Sequence, residues 1–256
     1  MKEVSGKKMS SLTKMLAILD LFTEEKPIWT AEEITNEFDF SVPTGYRYVK
    51  ELSTAGLLAR VKGGSYVIGP KIIKLDRQVR ISDPIIKIGQ PIMENLVNLT
   101  GCEVLLSNVF NEEILVVHTE APDNKQMNIS YSRGIPHPLF KSSTSKIIVA
   151  NLQRNDLIKL FESRREEVAE AGLGMDWEEF KKAISKIRRD GYCISHGELD
   201  AGLSAIAAPI FSNNQIKGSL SLVLPTARFS VFNTDKLTEI VKEAANLISN
   251  LISEPL

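Results

Sequence analysis

Four consecutive hydroxyl residues, Ser142-Ser143-Thr144-Ser145, stand just before an apolar run that reads as a helix over Lys146–Leu152. A helix N-terminus offers free backbone N–H groups and the positive end of the helix dipole, so this spot suits a carboxylate or a phosphate. Lys141 beside it, and Arg133 in the preceding loop, would add positive charge. The alternative is that one serine caps the helix and the others fill space. A second group of residues points to a larger anion. Between residues 40 and 80 the chain carries eight basic residues, Arg47, Lys50, Arg60, Lys62, Lys71, Lys74, Arg77 and Arg80, against only Glu51 and Asp76, a balance of +6. Residues 81–256 balance at −4. A compact positive segment on a mildly negative body is the footprint of a chain that meets a polyanion with one part only. A solvated charged face is the other reading of the same pattern.

Little in the chain speaks for catalysis. The sequence holds no G-x-S-x-G, phosphate-binding Walker loop, G-x-G-x-x-G or H-E-x-x-H. His118, His137 and His196 fall in separate segments. Cys193-Ile194-Ser195-His196-Gly197-Glu198 mixes soft and hard ligands, but its spacing on a strand does not match a paired Cys/His zinc site. Cys102 and Cys193 read as small buried hydrophobes rather than nucleophiles. No catalytic residue, metal or cofactor is expected.

The basic segment lies in a recognisable order of elements. Leu12, Met15, Leu16, Leu19 and Phe22 recur at helical spacing and predict one amphipathic helix from Ser11. Thr30 and Glu33 fit a capping box that opens a short helix to about Phe38. Asp39-Phe40 forms a tight turn, and Ser41 caps a third helix with Pro43 in its first turn, running to about Thr54. The last two helices form a helix-turn-helix. Gly45, Val49, Leu52 and Gly56 line one side of the third helix, and Gly45 lets another helix come close. Thr44, Arg47 and Glu51 line the other, flanked by Ser41, Tyr48 and Lys50. Such hydroxyl and guanidinium groups suit phosphate contacts and the edge of guanine in the major groove. Leu57–Val61 and Ser65–Ile68 then predict a hairpin around Lys62-Gly63-Gly64, a basic wing with Arg60 and Lys62 at its tip. With Tyr46, the expected DNA-contact set is Ser41, Thr44, Tyr46, Arg47, Lys50, Arg60 and Lys62. Lys71–Ile81 reads as a linker helix whose stripe Ile72, Leu75, Val79 suits a second copy of the chain, and Asp83-Pro84 marks a domain boundary.

The remainder reads as an α+β domain with an antiparallel sheet. Ile85–Leu99 is a helix expected to break or kink at Pro91 and to end at Gly101. Strands are expected over Glu103–Phe110, Ile114–Thr119 and Gln126–Ser132, followed by a loop over Arg133–Leu139. Asn155 caps a helix through Phe161, and Asp176 with Glu179 opens another through Arg189. Strands at Tyr192–His196, Ser204–Phe211 and Lys217–Val223 precede a final amphipathic helix carrying Leu237 to Leu251.

Composition agrees with this picture. Over 256 residues, 43% are hydrophobic and 25% charged, the balance of a globular chain with a real core. Apolar runs such as Ala205–Phe211 fall far short of the roughly 20 residues that span a bilayer. The start MKEVSGKKMS has no apolar core, and two cysteines make no disulfide framework, so a cytoplasmic protein without membrane contact is expected.

Five spaced motifs carry a family resemblance over about residues 10–252. They are Thr44-Gly45-Tyr46-Arg47-Tyr48-Val49-Lys50-Glu51-Leu52 and Ser65-Tyr66-Val67-Ile68-Gly69 in the first third, then His137-Pro138-Leu139-Phe140-Lys141 running into the serine-rich turn. Arg189-Asp190-Gly191-Tyr192, with Glu198 and Gly202–Phe211, and Pro225-Thr226-Ala227-Arg228-Phe229 complete the set. In these the chain resembles the IclR family of bacterial transcriptional regulators. The resemblance implies a winged helix-turn-helix over 10–70, a linker helix over 71–82, and a GAF-like effector-binding and oligomerisation domain over 83–256. It also implies a homodimer or dimer of dimers on double-stranded operator DNA. Alignment with the family places the effector pocket at Ile129, His137, Ser143, Thr144, Ser195, Ala205, Ser221 and Val223. The chain departs from the family pattern at Pro43, where a serine is usual, at Phe140, where a histidine is usual, and at Lys141. It also lacks an aspartate that some relatives carry at the position of Ser195. The expected function is a ligand-responsive DNA-binding regulator that senses a small organic acid. The alternatives are a small-molecule hydrolase or sensor domain with an accessory DNA-binding module, or a module whose winged helix binds protein. His137 or His196 hydrogen-bonded to a serine at the pocket would favour the hydrolase.

Overall fold

The computed structural model describes residues 10–110, 113–123, 130, 132–229 and 231–253. The chain divides between Ser82 and Asp83 into two compact units.

In the first unit, α1 (Ser11–Leu16) passes into a 3-10 turn over Ala17–Leu21. The single helix expected there is thus two pieces. Leu12 and Leu16 stay exposed, so no α-helical stripe is buried to hold the geometry, and Ile18 alone is fully buried. After β1 (Trp29–Thr30), α2 (Ala31–Glu37) opens on the capping box: Glu33 donates its N–H to Thr30 Oγ1, and Thr30 donates its own to the Glu33 carboxylate at 2.8 Å. That carboxyl is held down to about 2, first by the Thr30 backbone N–H and then by its hydroxyl.

Asp39, at φ 52°, turns the chain into α3 (Val42–Thr54). Ser41 stands at the N-cap, but its hydroxyl pairs with that of Thr44 at 2.8 Å and caps no backbone N–H. Pro43 has no N–H to offer, and the N–H of Thr44 already donates to the Ser41 carbonyl. Gly45 is where α2 and α3 touch. A Cβ built on it would lie 2.0 Å from Thr35 Oγ1, and Thr35 is itself buried with its hydroxyl donating to Ala31 O. Tyr48, expected on the outer side, is buried edge-on against Phe40. Its place three residues after Gly45 and four before Leu52 puts it on the packed stripe. The wing pairs β2 (Leu58–Arg60) with β3 (Ser65–Ile68), and β1 adds an unforeseen third strand on the other edge of β3. The unit closes with α4 (Lys71–Ser82), no residue of which is buried.

The second unit begins with α5 (Pro84–Thr100), capped by the Asp83 carboxylate and ended by Gly101 at φ 60°. The break expected at Pro91 is absent and the helix runs through it. Pro91 is on the exposed side, while Ile85, Ile86, Gly89 and Met93, Leu96, Val97 anchor both halves in the core. The sheet is antiparallel throughout, with β4 (Glu103–Phe110) and β5 (Glu113–Glu120) on one side of its centre. The strand expected over 126–132 falls mostly outside the described residues, and Ser130 and Ser132 are not in a strand. Instead β6 (Pro136–His137), inside the stretch expected to be a loop, pairs with Ile114 and Leu115 of β5.

Next comes α6 (Ser143–Ala150), with Ser142 as its N-cap. It starts three residues earlier than expected, because the hydroxyl residues form its first turn rather than a loop before it. Then follow α7 (Arg154–Ser163), α8 (Arg165–Glu170) and α9 (Trp177–Asp190). Gln153, not Asn155, holds the N-cap position of α7, and α8 was not foreseen. Asp176 caps α9 as expected, but the Glu179 carboxylate takes the N–H of Met175. β7 (Cys193–His196), β8 (Leu203–Ser212) and β9 (Gln215–Pro225) complete the sheet, in the order β6-β5-β4-β9-β8-β7, before α10 (Thr226–Phe229) and α11 (Thr234–Ser253). One face of the sheet carries the main core, where Leu106, Ile206, Leu220 and Leu222 meet Met93 of α5 and Val241 and Ile248 of α11. The other face carries α6, with Ile147 and Ile148 against Ala207 and Ile114. Beyond it α7, α8 and α9 close on an aromatic cluster of Phe140, Phe161 and Phe180.

Candidate functional sites

In the first unit, helix packing decides which side of α3 is left free. Gly45, Tyr48, Val49 and Leu52 are buried, which turns Ser41, Tyr46, Arg47 and Lys50 outward, with Thr44 half-buried at the edge. Arg47 lies against the Tyr48 ring, 5.5 Å from its centroid. On the wing, Arg60 pairs across the hairpin with Tyr66, and Gly63 at φ 80° makes the turn that leaves Lys62 exposed. Among the described residues none of Arg47, Lys50, Arg60 and Lys62 is in a salt bridge. Four exposed cations without an internal counter-charge, two on α3 and two on the hairpin, are equipped for an external polyanion.

In the second unit a cleft opens at the N-terminus of α6. His137, Thr144, Ser195, Ala205 and Val223, five of the positions the family alignment assigns to the pocket, line it. Ser143 and Ser221 stand one layer behind: Ser195 donates its hydroxyl to Ser143 Oγ at 3.2 Å, and the hydroxyls of Thr144 and Ser221 pair at 2.9 Å. Ile129 lies outside the described residues. The apolar wall is Leu105, Leu199, Leu203, Ala205 and Val223. Burial draws the pKa of His137 down to about 4, against a smaller opposing pull from Asp200, so the imidazole is neutral at neutral pH.

The lining also includes Ser142, from the serine-rich turn singled out in the sequence, and Glu198, Asp200 and Ser204, which were not expected there. Leu203 was within reach of that reading, since strand alternation puts it on the same face as Ala205. Glu198 stood in a quoted motif without a role. Asp200 carried no sequence signal, because its position comes from the loop between β7 and β8. Both its carboxylate oxygens accept hydrogen bonds from Ser130, one from the N–H at 3.1 Å and one from the hydroxyl. The positive charge beside the cleft also differs from the expectation. Lys141 is exposed and Arg133 donates to the carbonyl of Val117, and neither lines the cleft. Lys146 instead places its ammonium 2.7 Å and 2.8 Å from the two oxygens of Glu198. Phe140, the departure from the family histidine, is buried edge-on against Phe180 and belongs to the aromatic cluster rather than to the cleft.

His196 does pair with a serine: its Nδ1 lies 2.9 Å from Ser204 Oγ, which in turn pairs with Thr226 Oγ1. The pair faces the wrong way for a nucleophile serving the cleft. Ala205 and Ala207 pack on the cleft side of the sheet, while Ile206 and Ala208 join the core on the other. Alternation therefore puts the Ser204 hydroxyl on the core side, where its partner His196 stacks edge-on against the Phe229 ring. The two thiols are buried as expected, and burial pushes Cys193 up to about 11, far from a reactive thiolate. Among the described residues no three His, Cys, Asp or Glu side chains are grouped to hold a metal ion, and no helix is long and apolar enough to cross a membrane.

Comparison with known proteins decides the family. The model of the bacterial transcriptional regulator IclR C-terminal domain matches residues 78–250, and that of the IclR helix-turn-helix domain matches residues 11–62. The chain belongs to the IclR family. Among curated regulators it is 29% identical over 249 residues to the HTH-type transcriptional regulator KipR of Bacillus subtilis, covering 96% of this chain and 98% of that one. The IclR family transcriptional regulator of Brucella abortus shares the fold at a TM-score of 0.76 and 20% identity, covering 97% and 94% of the two chains. An IclR homolog from Microbacterium hydrocarbonoxydans, solved in complex with 4-hydroxybenzoate, matches at a TM-score of 0.73 and 22% identity, covering 95% and 99%. The chain is thus a transcriptional regulator with a helix-turn-helix DNA-binding domain and an IclR effector-binding domain.

Proposed function

We propose that this regulator is switched on its operator by a small organic acid held in the cleft at α6. The observation that carries the reading is the meeting, in one cleft, of a helix N-terminus with Thr144 on its first turn and an apolar wall of Leu105, Leu203, Ala205 and Val223. The helix end takes the carboxylate, through the backbone N–H groups of Ser143 and Thr144 and the Thr144 hydroxyl, with the Ser143 hydroxyl behind them on Ser195; the wall takes the carbon skeleton. Ser195 extends the polar side, Ser221 backs the Thr144 hydroxyl, and His137 orients the ligand as a neutral imidazole, with Ile129 assigned to the apolar side from the sequence. Glu198 in the lining is compensated by Lys146, and Asp200 has Ser130 donating to both its oxygens, so neither stands as a bare charge against an incoming acid. The related protein solved with 4-hydroxybenzoate supports a small organic acid as the ligand class.

On the DNA side, Arg47 and Lys50 of α3, with Ser41, Thr44 and Tyr46, address the major groove, and Arg60 and Lys62 the neighbouring backbone or minor groove. The working division is a DNA-binding domain over 10–70, a linker helix over 71–82 and an effector domain over 83–256. A homodimer at least is the working state, since one winged helix reads one half-site. The exposed Ile73, Leu75, Val79 and Ile81 of α4 give the second copy an apolar surface, and the expected stripe of Ile72, Leu75 and Val79 shares it with Ile72 half-buried. Action in the cytoplasm follows from this role.

A panel of small aliphatic and aromatic acids, screened by thermal shift on the wild type and on Thr144→Asp, tests the cleft. A binding acid raises the melting temperature of the wild type by mass action, and the fixed charge of the variant abolishes the rise without unfolding the protein. Acids that stabilise both equally bind elsewhere, and the serine-rich turn is then only a cap.

A further inference from the structure

The chain enters α6 through an unfavourable residue. Ser142 sits at φ 79° and ψ 150°, a conformation that side chains with a Cβ rarely adopt and glycine adopts freely. Three hydrogen bonds hold it there. Its N–H donates to Glu198 Oε2 at 2.9 Å, its Oγ accepts the N–H of Ser145 at 3.4 Å, and its carbonyl accepts the N–H of Lys146 at 3.1 Å. Of these only the bond to Glu198 comes from outside the turn, from the β7–β8 loop. The same carboxylate receives both contacts of Lys146, whose side chain is only 12% exposed, so its acceptor atoms are fixed in place and its charge is balanced.

We propose that Glu198 is a positioning residue for the effector site: with Lys146 as its counter-charge, it clamps Ser142 in the left-handed conformation that sets the direction of the first turn of α6. Ser142, Thr144 and Glu198 all line the cleft, so releasing the clamp misdirects the N–H groups of Ser143 and Thr144 where a ligand would meet them. The proposal rests on the reading of that cleft as the effector site, but its mechanical part does not need a ligand to be observed.

Amide hydrogen exchange on the full chain tests it, comparing the wild type with Glu198→Ala, Ser142→Gly and the double variant. Removing the carboxylate should speed exchange at the amides of 142 and 145–146 by about tenfold, leaving the strands β8 and β9 unchanged. Glycine at 142 adopts the required backbone freely but has no hydroxyl for the N–H of Ser145, so the double variant should recover most of the protection at 146, whose acceptor is the carbonyl of 142, and not at 145. Equal loss at 146 in Glu198→Ala and the double variant, or loss spread over β8 and β9, would show a general stabilising role and overturn the proposal. A thermal-shift titration with 4-hydroxybenzoate and pyruvate on the same four proteins separates the two readings. If neither acid shifts the wild type or any variant, the organic-acid reading loses its support while the exchange result still decides the clamp. If an acid shifts the wild type, Glu198→Ala should lose that shift and the double variant regain it; a larger shift in Glu198→Ala would make Glu198 a repelling charge and overturn the clamp.

Discussion

The outer side of α3 and the cleft under α6 both lie beside a helix N-terminus, yet they are furnished in opposite ways. On α3 and the wing the functional groups are exposed cations with no salt-bridge partner among the described residues, and the packing is confined to the reverse side, where Gly45 lets α2 approach. In the cleft the groups are buried, small and mostly uncharged. His137, Ser142, Thr144 and Ser195 are all at most 6% exposed, and the one strong charge pair is internal. Long-range, salt-sensitive attraction needs charges that solvent and a polyanion can reach. Recognition of one small molecule needs desolvated groups whose positions are fixed before it arrives. With the proposed sites, those requirements fall to two different units of the chain.

The contrast can be broken first through protonation. His137 is the titrating group most changed by burial in the cleft, its pKa drawn from 6.5 to about 4. The unfolded chain takes up that proton first, so stability falls as the pH drops from about 6.5 to about 4 and levels below it, by up to roughly 3 kcal/mol. Melting curves across this range should show the slope in the second unit, and His137→Asn should flatten it; an unchanged slope would mean the imidazole is not buried as described. The first unit should respond to packing instead. Gly45→Ala forces a methyl into Thr35 and should cost about 1–3 kcal/mol of stability in the helix-turn-helix. It should impair duplex binding while leaving the melting of the effector domain as it is.

Surface substitutions sharpen the comparison with smaller effects. Arg47→Ala should weaken specific binding by about 1–3 kcal/mol if its guanidinium reads a base. Lys62→Ala should weaken binding to every duplex and lower the salt slope by about one, as expected for a phosphate contact. Gel shifts at graded salt separate the two. The smallest effect lies at the capping box of α2. Glu33 has its carboxyl lowered from 4.5 to about 2, so its contribution is complete above pH 4.5 and is lost as the pH falls toward 2. Glu33→Gln should remove a minor step in acid unfolding of the first unit over that window.

Much of this was legible from residue types, and the failures share a cause. The capping box at Thr30 and Glu33, the glycine contact at Gly45, the wing and the antiparallel sheet follow from local chemistry and periodicity, which the folded chain keeps. Five of the eight positions assigned to the effector pocket by family alignment line the cleft, His137, Thr144, Ser195, Ala205 and Val223. The misreadings came where a tertiary contact overrode a local signal. Pro91 does not break α5 because core contacts grip both halves, and Ser41 does not cap α3 because Pro43 and the Ser41 carbonyl leave it no N–H. Lys146 looked like an ordinary helix residue because its partner, Glu198, is 52 residues away. Spacing along the chain carries no information about such a pair.

In the proposed switch, a ligand in the second unit controls DNA binding by the first. The most direct measurement is an operator titration, using DNA flanking the protein's own gene, with the wild type and Thr144→Asp in the presence and absence of an acid found by thermal shift. Both proteins should bind the duplex without the acid, and the acid should change the affinity of the wild type alone. An equal response from Thr144→Asp, or no response from a wild type that the same acid stabilises, would contradict it.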